Sequence, residues 1–97
     1  MSLENIRRIL KKSKSKIENL FDVKELGIFG SYVRGEQKKN SDLDVLVEFN
    51  AVPGLIKFIK LENYLATLVK MKVDLVRKKA IRQELKGSIL KEAVSVW

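Results

Sequence analysis

Residues 30–49 read G-S-Y-V-R-G-E-Q-K-K-N-S-D-L-D-V-L-V-E-F, and the interpretation of the whole chain starts from them. The stretch opens with a glycine and a serine directly after an apolar run, and Asp42 and Asp44 introduce a second apolar run. Because strand side chains alternate between two faces, these acids point the same way, with Cα atoms about 6.5–7 Å apart. Two negative charges at that distance repel by roughly 2.5 kcal/mol at an effective dielectric constant of 20. This pattern indicates a cation site, and Mg²⁺ is a cation that carboxylate oxygens bind.

The composition restricts which chemistry the chain can perform. It contains no cysteine and no histidine, which excludes disulfides, thiolate metal sites, Ser-His catalysis and histidine general bases. Catalysis must therefore rest on carboxylates, hydroxyls, lysine or arginine, and a hard metal held by oxygen atoms. The net charge of +8 favours an anionic partner, which could be a nucleotide, a nucleic acid or an acidic protein.

Length and hydropathy predict one compact domain over residues 1–97. The apolar fraction of 45% and the charged fraction of 33% suit a folded chain of this size. The amphipathic N-terminus does not resemble a signal peptide, and no apolar run approaches the 18 residues of a membrane span. We therefore expect a cytoplasmic protein that has no membrane partner.

Hydrophobic periodicity predicts helices and strands in an order that suits a small mixed β-sheet flanked by helices, an α/β or α+β fold. The predicted elements are a helix from Ser2 through Leu20, a strand over 23–29, a helical turn over 31–35, a strand over 42–49, a helix over 55–70, a strand over 72–76, a helix over 81–92 and a short strand over 94–97. The apolar stripes of the three helices are predicted to be buried: Leu3, Ile6, Leu10, Ile17 and Leu20; Leu55, Phe58, Ile59, Leu61, Leu65, Leu68 and Val69; and Ile81, Leu85 and Ile89.

Three aspartates are the candidate metal ligands. Nucleotidyl transfer requires phosphates to be positioned and their charge neutralised, and two metal ions about 3.5–4 Å apart do this by clamping the entering and leaving oxygens. Asp42 and Asp44 supply two carboxylates at the start of a strand. Asp74 is the candidate for the third, because it is an acid within an otherwise apolar strand, where an unpaired charge would be costly.

The glycine and serine at the start of the stretch are the candidate anion site. Gly30 lets the backbone approach a phosphate closely, and Ser31 offers a hydroxyl and free N–H groups at the start of a helical turn. Arg34 is expected to pair with a phosphate or with one of the acids. Each feature alone has a structural explanation, since Asp74 could be a buried acid satisfied by Arg34 or by a backbone amide. Their combination, in this order, favours a nucleotide site.

The combination also resembles a known family. Gly30-Ser31, ten intervening residues, Asp42-x-Asp44 and then Asp74 within V-D-L-V resemble the signature of the DNA polymerase β-like nucleotidyltransferase superfamily. The short length and the sequence I-L-K-E-A-V near the end of the chain resemble its smallest branch, the minimal nucleotidyltransferases. Members of that branch are antitoxins paired with HEPN-domain ribonuclease toxins.

The resemblance implies a role for each signature residue. Gly30 and Ser31 would hold the triphosphate of ATP, Asp42 and Asp44 would bind Mg²⁺ as a pair of ions, and Asp74 would complete the metal site and help activate the acceptor hydroxyl. The implied reaction transfers AMP from ATP to a tyrosine of the partner HEPN toxin, with release of pyrophosphate, within a hetero-oligomer. That modification would block the ribonuclease activity of the toxin.

Two other functions remain open from the sequence. The first is a toxin-binding module without catalysis, although the complete set of aspartates argues against it. The second is a basic nucleic-acid-binding domain that uses the lysines and arginines of the first helix. Nucleic-acid binding is not expected as the main role, and it would weaken steeply with salt.

Overall fold

The computed structural model describes all residues from 1 to 97. Five helices and four strands are separated by short connections, and a 3₁₀ turn covers Lys78–Ala80. In chain order they are α1 (Leu3–Lys12), α2 (Lys14–Phe21), β1 (Val23–Phe29), α3 (Ser31–Arg34), β2 (Leu43–Phe49), α4 (Leu55–Val69), β3 (Val73–Arg77), α5 (Gln83–Glu92) and β4 (Val94–Ser95).

The strands form one mixed sheet in the order β3-β2-β1-β4. β1 runs antiparallel to both β2 and β4, whereas β2 and β3 are parallel. A parallel pair requires a crossover connection, and the helix α4 supplies it. The predicted fold class, a small mixed sheet flanked by helices, is confirmed.

Helices α1, α2 and α4 cover one face of the sheet. The alternation within β2 sends Leu43, Val45 and Val47 into the core, and it sends Asp44 to the opposite face, as predicted. The buried positions are all apolar apart from a tyrosine hydroxyl and two glycines. The main core side chains are Ile6, Leu10, Ile17, Phe21, Val23, Leu26, Ile28, Leu43, Val45, Val47, Leu61, Leu65, Val69, Val73, Leu75 and Val96.

The predicted first helix is two helices in the structure. The break falls at Ser13, which has φ −100° and ψ 12° and whose N–H donates to Leu10 O (3.1 Å). Ser2 caps α1 as predicted, accepting the Asn5 N–H on its hydroxyl oxygen. The break changes the helical phase, so the predicted burial of Leu20 is wrong. Its side chain is 61% exposed, and the neighbouring Phe21 enters the core instead.

The apolar stripes of the other two helices are only partly covered. In α4 the core positions are Leu61, Leu65 and Val69, but Leu55 is 74% exposed and Ile59 is also exposed, contrary to the prediction. The last helix, α5, buries none of its residues, so the predicted burial of its stripe is wrong as well. Periodicity shows which residues share a face of a helix, but it does not show whether another element covers that face. None of the five helices combines the length and the hydropathy that a membrane-spanning segment needs.

Candidate active site

Asp44 and Asp74 lie side by side on neighbouring strands. They are register partners in the parallel pair formed by β2 and β3, so both side chains project from the face that the helices leave open. Asp42 immediately precedes β2 and lies two residues before Asp44, so the alternation of side chains places it on the same face. The placement of the three predicted acids on one side of the sheet follows directly from the strand register.

The electrostatic environment of Asp44 reflects this placement. Partial burial raises the pKa of Asp44 above its ordinary value, and the negative charges of Asp74 and Asp42 raise it further. The positive charge of Arg34 opposes the shift. The three aspartates therefore carry negative charge that Arg34 neutralises only in part. Such an environment favours a bound cation.

Two expectations about the acids need correction. Asp74 was expected in apolar surroundings, but its side chain is exposed, since only Val73 and Leu75 face the core. The carboxyl groups also do not converge, because no three acidic side chains come together as a group able to hold a metal ion. Asp42 instead lies 3.9 Å from the Lys72 ammonium group. The donor atoms are the oxygens that Mg²⁺ prefers, and the backbone puts them on one face, so the residues fit this ion in type and side of the sheet.

Gly30 connects the acids to the predicted anion site. Its backbone has φ 81° and ψ −153°, a conformation that side-chain-bearing residues rarely adopt. A Cβ at this position would also collide with the Oδ2 atom of Asp44. Only glycine therefore allows the turn after β1 to lie directly against the central acid of the site.

The turn after Gly30 leaves backbone donors free. Gly30 O accepts the N–H groups of Val33 (3.0 Å) and Arg34 (3.2 Å), which closes the short helix α3. The N–H groups of Ser31 and Tyr32 are at the start of this helix, where no intrahelical acceptor exists, and they have no other backbone acceptor. These donors and the Ser31 hydroxyl are what the sequence predicted for a phosphate.

Arg34 contacts glutamates rather than the aspartates. Its Nε atom donates to Glu36 (2.7 Å) and its Nη1 atom to Glu92 (2.7 Å), and both hydrogen bonds raise the pKa of Arg34 above its ordinary value. The expected pairing of Arg34 with one of Asp42, Asp44 or Asp74 is therefore not present. Its charge nevertheless reaches the site, since it lowers the pKa of Asp44.

Glu92 is the residue of this region that the sequence did not reveal. Its Oε2 atom accepts the Gly30 N–H (2.7 Å) while its Oε1 atom accepts from Arg34, and these hydrogen bonds lower the pKa of Glu92. The only signal in the sequence was the position of Glu92 within I-L-K-E-A-V, to which no role was assigned.

Comparison with known proteins agrees with this geometry. The family model for the nucleotidyltransferase domain matches residues 4–96. The chain is 46% identical over 96 residues to the protein adenylyltransferase MntA of Thermococcus cleftensis, covering 99% of this chain and 97% of that protein. A solved structure assigned as a minimal nucleotidyltransferase superimposes with a TM-score of 0.80 at 30% identity, covering 97% of this chain and 95% of the other.

A further similar structure is that of a toxin–antitoxin complex with AMP-PNP. One of its chains superimposes with a TM-score of 0.75 at 27% identity, over 92% of this chain and 72% of that chain. The family match over residues 4–96 includes the core, the acid-bearing face of the sheet and the glycine turn beside it. This chain belongs to the nucleotidyltransferase domain family.

Proposed function

We propose that this protein transfers AMP from ATP to a tyrosine of a HEPN-type ribonuclease toxin in an Mg²⁺-dependent reaction, and that it thereby acts as the antitoxin. The relative from Thermococcus cleftensis is named a protein adenylyltransferase, and a similar fold occurs in a toxin–antitoxin complex with AMP-PNP. Both support an adenine nucleotide as substrate and a protein as acceptor. The tyrosine and the HEPN domain are carried over from the family that the signature resembles.

The observation that carries this proposal is the adjacency of the glycine turn and the acids. Gly30 touches Asp44, and Asp44 pairs in register with Asp74, so a nucleotide tail on the turn would lie beside both carboxylates. In the proposal Gly30, Ser31 and Arg34 bind the triphosphate. Asp42, Asp44 and Asp74 bind Mg²⁺, whose chemistry when bound is to neutralise the phosphates and make the α-phosphorus more electrophilic.

The proposed reaction replaces one bond at the α-phosphorus by another. The phenol oxygen of the acceptor forms a bond to this phosphorus, and the bond from the phosphorus to the oxygen of the β-phosphate breaks. Pyrophosphate leaves with the electron pair of that bond, and the phenol proton passes to a carboxylate. Asp74 suits this last role because it is exposed on the open face, where an incoming side chain can reach it.

The open face of the sheet gives a protein acceptor access to the acids. The helices α1, α2 and α4 cover one face of the sheet, and Asp44 and Asp74 project from the other. A partner that docks on the open face would bring its tyrosine to Asp74 and exclude water from the reacting atoms. A hetero-oligomer with the toxin therefore fits the shape of this protein.

Incubation of the protein and its HEPN partner with α-labelled ATP and Mg²⁺ tests the proposal. We expect label on the partner, none when its acceptor tyrosine is changed to phenylalanine, and none with Asp44→Asn. Glu84→Gln serves as the control, because Glu84 is exposed on α5 and pairs only with Arg82 (3.2 Å). A stable complex that never transfers label would refute the enzyme and support the binding module.

A further inference from the structure

We propose that Glu92 is a positioning residue of the nucleotide site, which it serves by fixing the Gly30 turn and the Arg34 guanidinium for the triphosphate. This inference rests on the proposed function. Its starting point is that one carboxylate accepts hydrogen bonds from both groups at once, each 2.7 Å long. Glu92 is 62 residues away from Gly30 along the chain, so the contact is a product of the fold.

The register of the sheet brings Glu92 to Gly30. β1 and β4 are antiparallel, with Gly27 opposite Ser95 and Ile28 opposite Val94. In an antiparallel pair each step forward on one strand is a step back on the other. Two further steps therefore bring Gly30 opposite Glu92, which is the last residue of α5 and lies two residues before β4 begins. The pairing of β4 with β1 thus places the carboxylate beside Gly30.

Hydrogen bonds restrain Gly30 through both its N–H and its carbonyl oxygen. The N–H of Gly30 donates to Glu92, and its carbonyl oxygen accepts from Val33 and Arg34. Gly30 has more accessible backbone conformations than other residues, so an unrestrained turn would lose its φ of 81° readily. With Gly30 fixed, the unpaired N–H groups of Ser31 and Tyr32 keep one direction relative to Asp44.

The same carboxylate orients Arg34 while occupying only one of its donors. A guanidinium has five N–H donors in one plane, and Glu36 and Glu92 occupy one each at Nε and Nη1. Two contacts at different nitrogens fix the plane, and the remaining donors stay available for phosphate oxygens. Glu92 therefore leaves in place the donors that a triphosphate needs.

A competing interpretation is that the Glu92 carboxylate occupies the phosphate position and must be displaced by ATP. The two interpretations predict opposite signs. Removal of a positioning residue weakens nucleotide binding, whereas removal of a competitor strengthens it. The free N–H groups of Ser31 and Tyr32 favour positioning, because a carboxylate standing in for phosphate would be expected to accept from them.

Calorimetric titration with ATP and Mg²⁺ tests the inference on the full chain. We expect Glu92→Ala to raise Kd about tenfold, from the strength of a charge-assisted hydrogen bond at a partly exposed site. Glu92→Gln keeps one acceptor oxygen and should raise Kd by only about threefold. In the transfer assay the KM for ATP should rise with Kd, while kcat at saturating ATP should change by less than about twofold.

Two matched variants separate the Gly30 contact from a general effect of charge. Glu36→Gln removes the other carboxylate from Arg34 at the same distance but leaves Gly30 untouched, and Glu84→Gln removes a charge from α5 outside the site. Glu36→Gln loses one of the two contacts that fix Arg34 but keeps the Gly30 contact, so it should raise Kd by less than Glu92→Gln does. Glu84→Gln should leave Kd unchanged. If Glu36→Gln weakens binding as much as Glu92→Gln does, the effect comes from Arg34 alone and the inference is overturned.

The remaining outcomes are equally decisive. Unchanged or tighter ATP binding in the Glu92 variants overturns the positioning role while leaving the proposed function intact. Absence of ATP binding by the wild-type chain overturns the proposed function and this inference together. Thermal melts establish that each variant is folded, and Glu92→Gln, which preserves the side-chain shape, decides the matter if Glu92→Ala does not fold.

Discussion

Gly30 is the glycine whose replacement the structure tolerates least. Alanine at this position would combine a φ of 81° with a collision between its Cβ and the Asp44 carboxylate. We expect Gly30→Ala to lower the free energy of unfolding by about 1–3 kcal/mol and to abolish nucleotide transfer. Gly87→Ala is the matched control, since Gly87 lies within α5 with open space around it, and it should stabilise by about 0.5–1 kcal/mol. Urea unfolding measures both, and equal effects would contradict the assigned role.

Asp44 is expected to decrease the stability of the metal-free protein. Its raised pKa means that the folded state holds a proton more tightly than the unfolded state, so stability falls as the pH rises from 3.8 through the folded pKa. At neutral pH the charged form is therefore destabilising. We expect Asp44→Asn, without divalent ions, to raise Tm by about 1–3 °C, a modest value because solvent still screens this partly buried group.

The pH dependence of that difference is the sharper measurement. The gain in Tm of Asp44→Asn over wild type should shrink as the pH falls below the raised pKa, where wild-type Asp44 becomes neutral too. Addition of Mg²⁺ at neutral pH should reverse the order, by stabilising the wild type more than the variant. A large loss of stability in metal-free Asp44→Asn would instead identify this aspartate as a structural residue.

The pKa of Glu92 is shifted in the opposite direction to that of Asp44, and it provides a second test by pH. Its lowered pKa means that its hydrogen bonds to Arg34 and Gly30 stabilise the folded state above the ordinary value of 4.5, and that this contribution is lost as the pH falls through the folded pKa. We expect Glu92→Gln to melt below wild type at pH 7 and level with it at low pH. Thermal melts over this range check it, and a difference that persists at low pH would contradict it.

Among the elements, helix α4 separates what periodicity can predict from what it cannot. Leu55 and Leu65 belong to the same predicted stripe, yet Leu65 is fully buried whereas Leu55 is mostly exposed. We expect Leu65→Ala to destabilise by about 2–5 kcal/mol. Leu55→Ala should stay within about 0.5 kcal/mol of wild type. Chemical denaturation of the two variants measures the contrast, and similar losses would show that another surface covers Leu55 in solution.

Strand β2 was predictable because its pattern has only one interpretation. Leu43, Val45 and Val47 alternate with Asp44, Leu46 and Glu48, two of which are charged, and a register slip of one residue would bury Asp44 and expose the core side chains. The apolar stripes of the helices did not predict burial in the same way. An apolar helix face is buried only where another element packs against it. The break at Ser13 also escaped the sequence pattern, since serine is compatible with a helix interior and with a cap.

At the scale of the whole molecule, the site divides into a part that the sequence reveals and a part that it hides. Gly30, Asp42 and Asp44 are near one another in sequence, and Asp74 joins them through the parallel pairing of β2 with β3. The Glu92 contact depends on which edge of the sheet β4 joins, and two residues of strand carry too little pattern to predict that. The sequence therefore could not predict contacts that depend on the long-range pairing of such short elements.

The distribution of charge over the molecule distinguishes the enzyme from the nucleic-acid-binding alternative. Arg7, Arg8, Lys11 and Lys12 form a basic face on α1, and α1 covers the side of the sheet opposite to Asp44. We expect Lys11→Gln/Lys12→Gln to leave Mg²⁺-ATP affinity unchanged and to reduce any binding of single-stranded RNA. Loss of two phosphate contacts should lower the salt slope of that binding by about 1.4.

Asp44→Asn is the complementary variant, which should affect the binding of ATP and not that of RNA. It should abolish Mg²⁺-ATP binding and leave RNA affinity unchanged or slightly higher, because it removes a negative charge from the opposite side of the sheet. Fluorescence anisotropy with labelled RNA at several salt concentrations measures the RNA affinity of both variants, and calorimetry with ATP measures their nucleotide affinity. If the lysine variant rather than Asp44→Asn loses ATP binding, the two surfaces are not independent. The +8 charge would then serve the nucleotide itself, by attracting it to the basic face of α1.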